Sequence, residues 1–191
     1  MYGALPDRYT VGPFWLLPAL EGAALLALSI TVPRRRPNEA NGARIAAMAL
    51  VGLVTVTNFF AIWQLIDLLL NGAKVAGTEL VFAAIQMWLT NVLVFGLWYW
   101  ELDRGGPGER RSSIQPPDFL FPQMSVPAIA SKDWLPSFVD YLYLSFTNAL
   151  AFSPTDTMPL SPWAKLLMLA QSLASVLVVA FVAARAVNIL S

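Results

Sequence analysis

Cysteine and histidine are both missing from this sequence of 191 residues. Without them the chain has no disulfide framework, no histidine or thiolate ligand for zinc or haem, and no Ser-His or Cys-His catalytic pair. Charged residues are also scarce, at 13% of the chain, and the net charge at neutral pH is zero. A basic surface for nucleic acid is therefore not expected. We expect no enzyme, no metal site, no cofactor and no nucleic-acid partner.

Hydrophobic residues, in contrast, make up 57% of the chain, more than an ordinary soluble domain contains. A helix needs about 20 apolar residues to cross the hydrocarbon layer of a bilayer. Four segments of the sequence meet this length clearly, and a fifth is ambiguous. The sequence predicts an all-α polytopic membrane helix bundle, with four transmembrane helices plus a re-entrant pore-like helix or a fifth span. We expect a single membrane domain in the lipid bilayer of a bacterial inner (cell) membrane.

Residues 1–100 contain three of the predicted spans, over residues 14–32, 45–70 and 79–100. Prolines bound the first span, and three consecutive arginines follow it, which places one helix end at a membrane surface. The third span closes on three aromatic residues typical of the headgroup level. After them Glu101, Asp103 and Arg104 are expected to enter water.

Glu21 lies well inside the first predicted span, where an unpaired carboxylate costs several kcal/mol. It is the intramembrane acidic candidate, and a proton-linked transporter would depend on it. Two other interpretations stay open: a neutral carboxyl bonded to a neighbouring helix, or a position close to the interface. Amides inside the predicted spans are expected to hydrogen-bond between helices rather than line a polar path; they are Asn58, Gln64, Gln86, Asn91 and Gln171.

Residues 101–132 are rich in proline and glycine, and their irregular backbone would go unsatisfied against lipid. We expect an aqueous or interfacial loop there. Residues 133–191 form the last third of the chain. An apolar segment over 134–152 is either a short span or a re-entrant helix. Residues 153–159 then break the helix, and a long apolar helix follows over 162–190.

This helix-break-helix ending resembles the pore loop and inner helix of two-helix pore-domain potassium channels. The family has a pore helix with a D-x-x-Y-x-S-F pattern, then the T-V-G-Y-G-D filter, then a proline and S-x-x-A-[KR]. The matching positions in this chain are Asp140, Tyr143, Ser145, Phe146, Asp156, Pro159, Ser161, Ala164 and Lys165. The resemblance implies a homo-oligomer, a tetramer if the chain is pore-like, with a pore helix that dips into the membrane.

The filter itself departs from the family, because residues 151–155 read AFSPT and contain neither glycine. Successive carbonyls point at the ion only where the backbone tolerates positive φ, which a proline cannot adopt. The filter-like loop instead comprises Ser153, Pro154, Thr155, Asp156 and Thr157. Its hydroxyls and carboxylate would favour a hydrated monovalent cation if several copies surround one axis. The alternatives are an ordinary helical hairpin in a non-conducting membrane scaffold or accessory subunit, and the proton-linked transporter.

Basic residues give a conflicting indication of orientation. Arg34, Arg35, Arg36 and Arg44 lie between the first two predicted spans, whereas Lys74 alone lies between the next two. The positive-inside rule then places the N-terminus outside and the 101–132 loop in the cytoplasm. A re-entrant helix would then enter from the cytoplasm, opposite to the potassium-channel orientation. A complete fifth span would remove the conflict; alternatively, the family orientation holds, with the N-terminus inside and the basic loops outside against the rule.

Overall fold

The computed structural model of the chain describes residues 41–71, 77–110, 114–126, 134–151 and 156–190. The first predicted span, with Glu21, lies outside these residues. So do Ser153, Pro154 and Thr155 of the filter-like loop.

The described chain is mostly helical, as the sequence predicts. Its elements in chain order are helix α1 (Asn41–Leu70), helix α2 (Gly77–Leu102), a 3₁₀ turn (Asp103–Gly105), strand β1 (Phe119–Leu120), helix α3 (Pro122–Ser125), helix α4 (Phe138–Ala151), strand β2 (Met158–Pro159) and helix α5 (Pro162–Leu190).

Three of these helices are long and apolar enough to cross a bilayer, over Arg44–Asp67, Leu80–Gly105 and Pro162–Ala184. Their mean hydropathies are 2.1, 1.9 and 2.4. They coincide with three of the predicted spans, those at 45–70, 79–100 and 162–190, and confirm that these segments are helices of the required length and composition. The described residues therefore have the length and composition of a helical membrane protein.

Helix α4 differs from the long helices in length. It has 14 residues, so it measures about 21 Å, against about 30 Å of hydrocarbon. It begins at Phe138, where Ser137 and Asp140 form one half of a capping box. The Oδ2 atom of Asp140 accepts hydrogen bonds from the amide and the hydroxyl of Ser137, both at 2.7 Å.

Helix α2 lies at the centre and runs antiparallel to α4. The end of α2 meets the beginning of α4, where the rings of Trp100 and Tyr141 lie 5.6 Å apart. At the other end of α4, the indole of Trp88 donates a hydrogen bond of 3.4 Å to the carbonyl of Ala149. Trp88 lies near the midpoint of α2. Helix α4 therefore reaches only halfway along the central helix.

Two hydrophobic clusters reflect this half-length helix. The first contains buried residues of α1, α2, α4 and α5 together with Phe119 and Phe121 of the loop. The second contains buried residues of α1, α2 and α5 only, such as Leu65, Met87 and Val178. Helices α2 and α4 are in direct contact at Gly96, where a Cβ would lie 3.4 Å from the Cα of Leu142.

The loop before α4 and the segment before α5 are joined by a short antiparallel strand pair. Phe119 pairs with Pro159, and Leu120 pairs with Met158. The Leu160 amide also donates to the carbonyl of Asp118 at 2.8 Å. The chain therefore returns, between Ala151 and Met158, to the end of the bundle at which α4 begins. Phe119 and Phe121 are buried there. Part of the loop that the sequence predicts to be aqueous or interfacial therefore packs over the helix ends.

Candidate functional site

The described part of the filter-like loop lies beside the strand pair. Asp156 is exposed and Thr157 is buried, immediately before β2. Ser153, Pro154 and Thr155 precede them and lie outside the described residues. The structure thus locates the two C-terminal residues of the predicted site at the same end of the bundle as the loop of residues 114–126.

The predicted pore-helix residues of α4 divide between different positions. Asp140 caps the helix, and Ser145 is fully buried, with its hydroxyl donating to the carbonyl of Val92 at 2.7 Å. Tyr143 is 58% exposed and Phe146 is 41% exposed. Ser145 therefore attaches α4 to α2, while Tyr143 and Phe146 belong to the outer surface of the described bundle.

A buried polar cluster around Gln171 connects α2, α4 and α5. The Oε1 atom of Gln171 accepts a hydrogen bond of 2.6 Å from the Tyr99 hydroxyl and one of 2.8 Å from the Asn148 amide. Its Nε2 atom donates to the carbonyl and the hydroxyl of Ser145, at 2.9 and 2.7 Å. Gln171 itself is fully buried. One side chain thus uses both ends of its amide to hold three helices together.

The cluster extends along α5 in both directions. Asn148 also donates to the carbonyl of Met168 at 3.0 Å and accepts from the hydroxyl of Ser172 at 3.1 Å. Asn91 donates to the hydroxyl of Ser175 at 2.8 Å and to the carbonyl of Gln171 at 3.2 Å. These bonds confirm the prediction that Asn91 and Gln171 hydrogen-bond between helices. Most of the polar atoms of this cluster are hydrogen-bonded within the protein, and the Oδ1 atom of Asn91 is buried without a partner among the described residues.

A second buried cluster, centred on Asp103, lies at the end of α2. The Oδ2 atom of Asp103 accepts a hydrogen bond from the hydroxyl of Tyr141 and lies 3.5 Å from Nε of Arg110 and 3.7 Å from Nε of Arg104. Its Oδ1 atom accepts from the amide of Asp118 at 2.9 Å, and the carboxylate of Asp118 accepts from the amide of Arg104 at 2.9 Å. This reciprocal pair of bonds attaches the loop to the helix end.

Arg110 fills the space between the aromatic rings of this cluster. Its guanidinium carbon lies 4.4 Å from the ring centre of Trp100 and 4.8 Å from that of Tyr141, a cation-π arrangement. The guanidinium also donates to the carbonyl of Trp100. Burial lowers the pKa of Arg110, and the neighbouring Asp103 carboxylate opposes this shift. The cluster therefore stabilises a charged residue away from water by ring faces and a carboxylate.

The expectation that Glu101, Asp103 and Arg104 enter water is wrong for the two carboxylates. Glu101 is 2% exposed and Asp103 is fully buried. Each has an arginine partner, because Arg44 at the start of α1 lies 3.3 Å from Glu101. Pairing and hydrogen bonds offset part of the desolvation cost that a buried carboxylate meets. The arginines of the flanking sequence are the signal that sequence reasoning missed.

No group of acidic side chains suitable for a metal ion occurs within the described part of the chain. No protein-family model, no curated protein and no solved structure matches this chain. The class of the protein therefore rests on its fold: a helical membrane protein with one half-length helix packed beside the central helix.

Proposed function

We propose that the chain is a re-entrant-loop membrane protein whose copies surround a pathway for a small monovalent cation. One observation carries the proposal: α4 and α5 begin at the same end of the bundle. The ring of Phe119 lies 6.3 Å from Tyr141, in the first turn of α4, and 5.8 Å from Trp163, in the first turn of α5. In an ordinary helical hairpin the two helices would begin at opposite ends. This arrangement therefore favours the pore-loop alternative over the hairpin.

The direction of α4 gives the proposed pathway its preference for cations. The C-terminal end of α4 lies beside the midpoint of α2, as the hydrogen bond from Trp88 to Ala149 shows. The C-terminus of a helix carries a partial negative charge of roughly half an electron and has carbonyls without helical partners. In the middle of a membrane such an end stabilises a cation more than an anion.

Residues 151–157 follow this end and supply the remaining groups. In this proposal the hydroxyls of Ser153 and Thr155 and the carboxylate of Asp156 face the pathway, which suits a cation that keeps part of its hydration shell, whereas Thr157 is buried. Chain that returns from the middle of a bilayer must be covered by protein or line water, because lipid satisfies no backbone group. In a homo-oligomer around this segment, neighbouring copies would cover part of the backbone and water in the pathway would contact the rest. The resemblance to potassium channels implies a tetramer.

The proposal follows the charge pattern rather than the orientation of the potassium-channel family. A re-entrant α4 needs no complete fifth span, and Arg44 of α1 lies at the same end of the bundle as Arg104 and Arg110 after α2. The positive-inside rule puts that end in the cytoplasm. The helix would then enter from the cytoplasmic side, opposite to the orientation of potassium channels.

The experiment is a flux assay on the purified protein in liposomes, with potassium and sodium tested separately over a range of voltage and pH. We expect cation flux, and we expect Asp156→Asn to reduce it about tenfold, since one carboxylate per copy is lost beside the pathway. Asp67→Asn is the matched control, because Asp67 is an exposed carboxylate near the end of α1. Absence of flux under every condition, or equal loss in both variants, would contradict the proposal.

A non-conducting scaffold or accessory subunit is the second candidate. The polar cluster around Gln171 favours it, because a network that uses most of its hydrogen bonds internally makes a rigid, dry centre. Gentle extraction from native membranes should then recover a stable complex with another membrane protein, in a chain that passes no ion. A proton-linked transporter based on Glu21 remains a prediction, since Glu21 lies outside the described residues.

A further inference from the structure

One face of α1 has no partner among the described helices. Its large side chains are well exposed, and residues on the opposite face, such as Val51 and Leu65, are buried against α2 and α5. The exposed residues follow a spacing that keeps them on one side of a helix. We call them the outer face of α1; they are Ile45, Leu53, Val56, Phe60 and Trp63, with exposed fractions of 66%, 60%, 67%, 54% and 59%.

The sequence places a further apolar segment immediately before this face. The described chain begins at Asn41, the first residue of α1, and residues 14–32 are predicted to span the membrane. Residues 33–40 join the two, and eight residues reach at most about 28 Å. So short a tether gives the segment a high effective concentration at α1, and helices joined by short connections are usually antiparallel neighbours.

The lengths of the two partners also agree. From Ile45 to Trp63 the outer face extends about 27 Å along the helix axis. A helix over residues 14–32 would have nearly the same length, also about 27 Å. The connection joins both at the end where Arg44 pairs with Glu101, so an antiparallel arrangement would align them along their whole length.

The alignment brings two polar side chains to the same depth. We measure both depths from the apolar residue that borders the arginines. Glu21 then lies about 16 Å from residue 32, and Thr57 lies about 18 Å along α1 from Ile45. Thr57 is exposed at the border of the outer face, and its hydroxyl donates to the carbonyl of Val54 at 2.9 Å. Lipid offers no hydrogen bond to a carboxyl group, so a hydroxyl at this depth makes α1 a better neighbour for Glu21 than lipid.

From these observations we infer that residues 14–32 cover the outer face of α1 in the same chain, with Glu21 at the level of Thr57. The inference does not depend on the proposed cation pathway, since the residues of this face belong neither to α4 nor to the filter-like loop. It would make α1 an interior helix of the bundle.

Disulfide formation tests the inference, because the natural chain has no cysteine. One cysteine replaces Val56, and a second is moved singly through positions 18 to 26, with Glu21 left unchanged. The matched control replaces Leu173, an exposed residue of α5 (58%, against 67% for Val56), and uses the same scan. Oxidation in native membranes is followed by reduction-sensitive gel mobility, and two differently tagged copies distinguish bonds within a chain from bonds between chains.

We expect Val56→Cys to form disulfide bonds within one chain with scanned cysteines that lie three or four residues apart. The yield of these bonds should be at least fivefold that of Leu173→Cys. Bonds between differently tagged copies would overturn the inference and show that a second copy covers α1. Preferential bonding with Leu173→Cys would overturn it by placing the segment on α5. Absence of any bond, with Val56→Cys accessible to a lipid-soluble thiol reagent, would overturn it by showing that lipid covers the face.

Discussion

The hydroxyl of Tyr141 donates a hydrogen bond of 2.5 Å to the carboxylate of Asp103, and both residues are fully buried. Tyr141 stands in the first turn of α4, whereas Asp103 follows the last residue of α2. The same carboxylate accepts the amide of Asp118 from the loop. One acidic side chain therefore sets where α4 begins relative to α2 and attaches the loop over both.

Tyr141→Phe tests this relationship. The substitution keeps the aromatic packing and removes the donor, so the buried Asp103 carboxylate loses one of its hydrogen bonds. We expect the free energy of unfolding to fall by about 1–3 kcal/mol, the range for a hydrogen bond to a charged group. The midpoint of thermal unfolding in detergent, followed by tryptophan fluorescence, measures the loss.

Tyr143→Phe is the control for this prediction, because Tyr143 lies two residues further along α4 and is 58% exposed. We expect its unfolding midpoint to equal that of the natural protein. Equal midpoints for Tyr141→Phe and Tyr143→Phe would show that Asp103 does not depend on the phenol.

The length and hydropathy of the apolar segments are enough to predict the long helices from the sequence. Uninterrupted apolar runs predict α1, α2 and α5 to within a few residues, since lipid requires continuous helix. The beginning of α4 was predicted four residues too early, although Ser137 and Asp140 form the S-x-x-D pattern of a capping box. Its C-terminal limit, at Ala151, agrees with the prediction to one residue.

The buried charges were not predictable in the same way. Hydropathy treats each charged residue as isolated, whereas Asp103 and Glu101 are buried through partners 38 and 57 positions away. Only the fold shows which arginine meets which carboxylate. Of the filter-like loop, the structure describes only Asp156 and Thr157, and a role of any of its five residues in binding a cation stays a prediction.

Gln171→Leu tests the buried cluster that joins α2, α4 and α5. The substitution leaves the hydroxyl of Tyr99 without its acceptor and removes one of the two acceptors of the Asn148 amide. Hydrogen bonds between membrane helices contribute roughly 0.5–2 kcal/mol each. We expect a total loss of about 2–4 kcal/mol, because several bonds are broken at once.

A double-mutant cycle separates this explanation from a simple loss of packing. Tyr99→Phe should destabilise the natural protein but have little further effect in Gln171→Leu, because the bond it removes is already absent. Gln86→Leu, at a half-buried glutamine of α2, should cost much less than Gln171→Leu. Additive effects of Tyr99→Phe and Gln171→Leu would contradict the proposed coupling.

Gly106→Ala should be among the most damaging single changes in the loop. Gly106 has φ +95° and ψ 179°, a backbone conformation essentially restricted to glycine. A Cβ at this position would also lie 2.8 Å from the carbonyl oxygen of Glu101 and 2.9 Å from Nη2 of Arg44. These two atoms are themselves hydrogen-bonded at 2.9 Å, so the methyl group would separate α1 from the end of α2.

We expect Gly106→Ala to lower the free energy of unfolding by about 2–4 kcal/mol, from the strained backbone and the displaced ion pair together. Gly42→Ala is the matched control, since a Cβ there meets nothing within 4 Å and alanine favours the helix by about 0.5–1 kcal/mol over glycine. Its unfolding midpoint should stay unchanged or rise slightly. If both variants unfold at the same temperature, the end of α2 does not require the conformation that Gly106 provides, and the loop would be held by the Asp103 cluster alone.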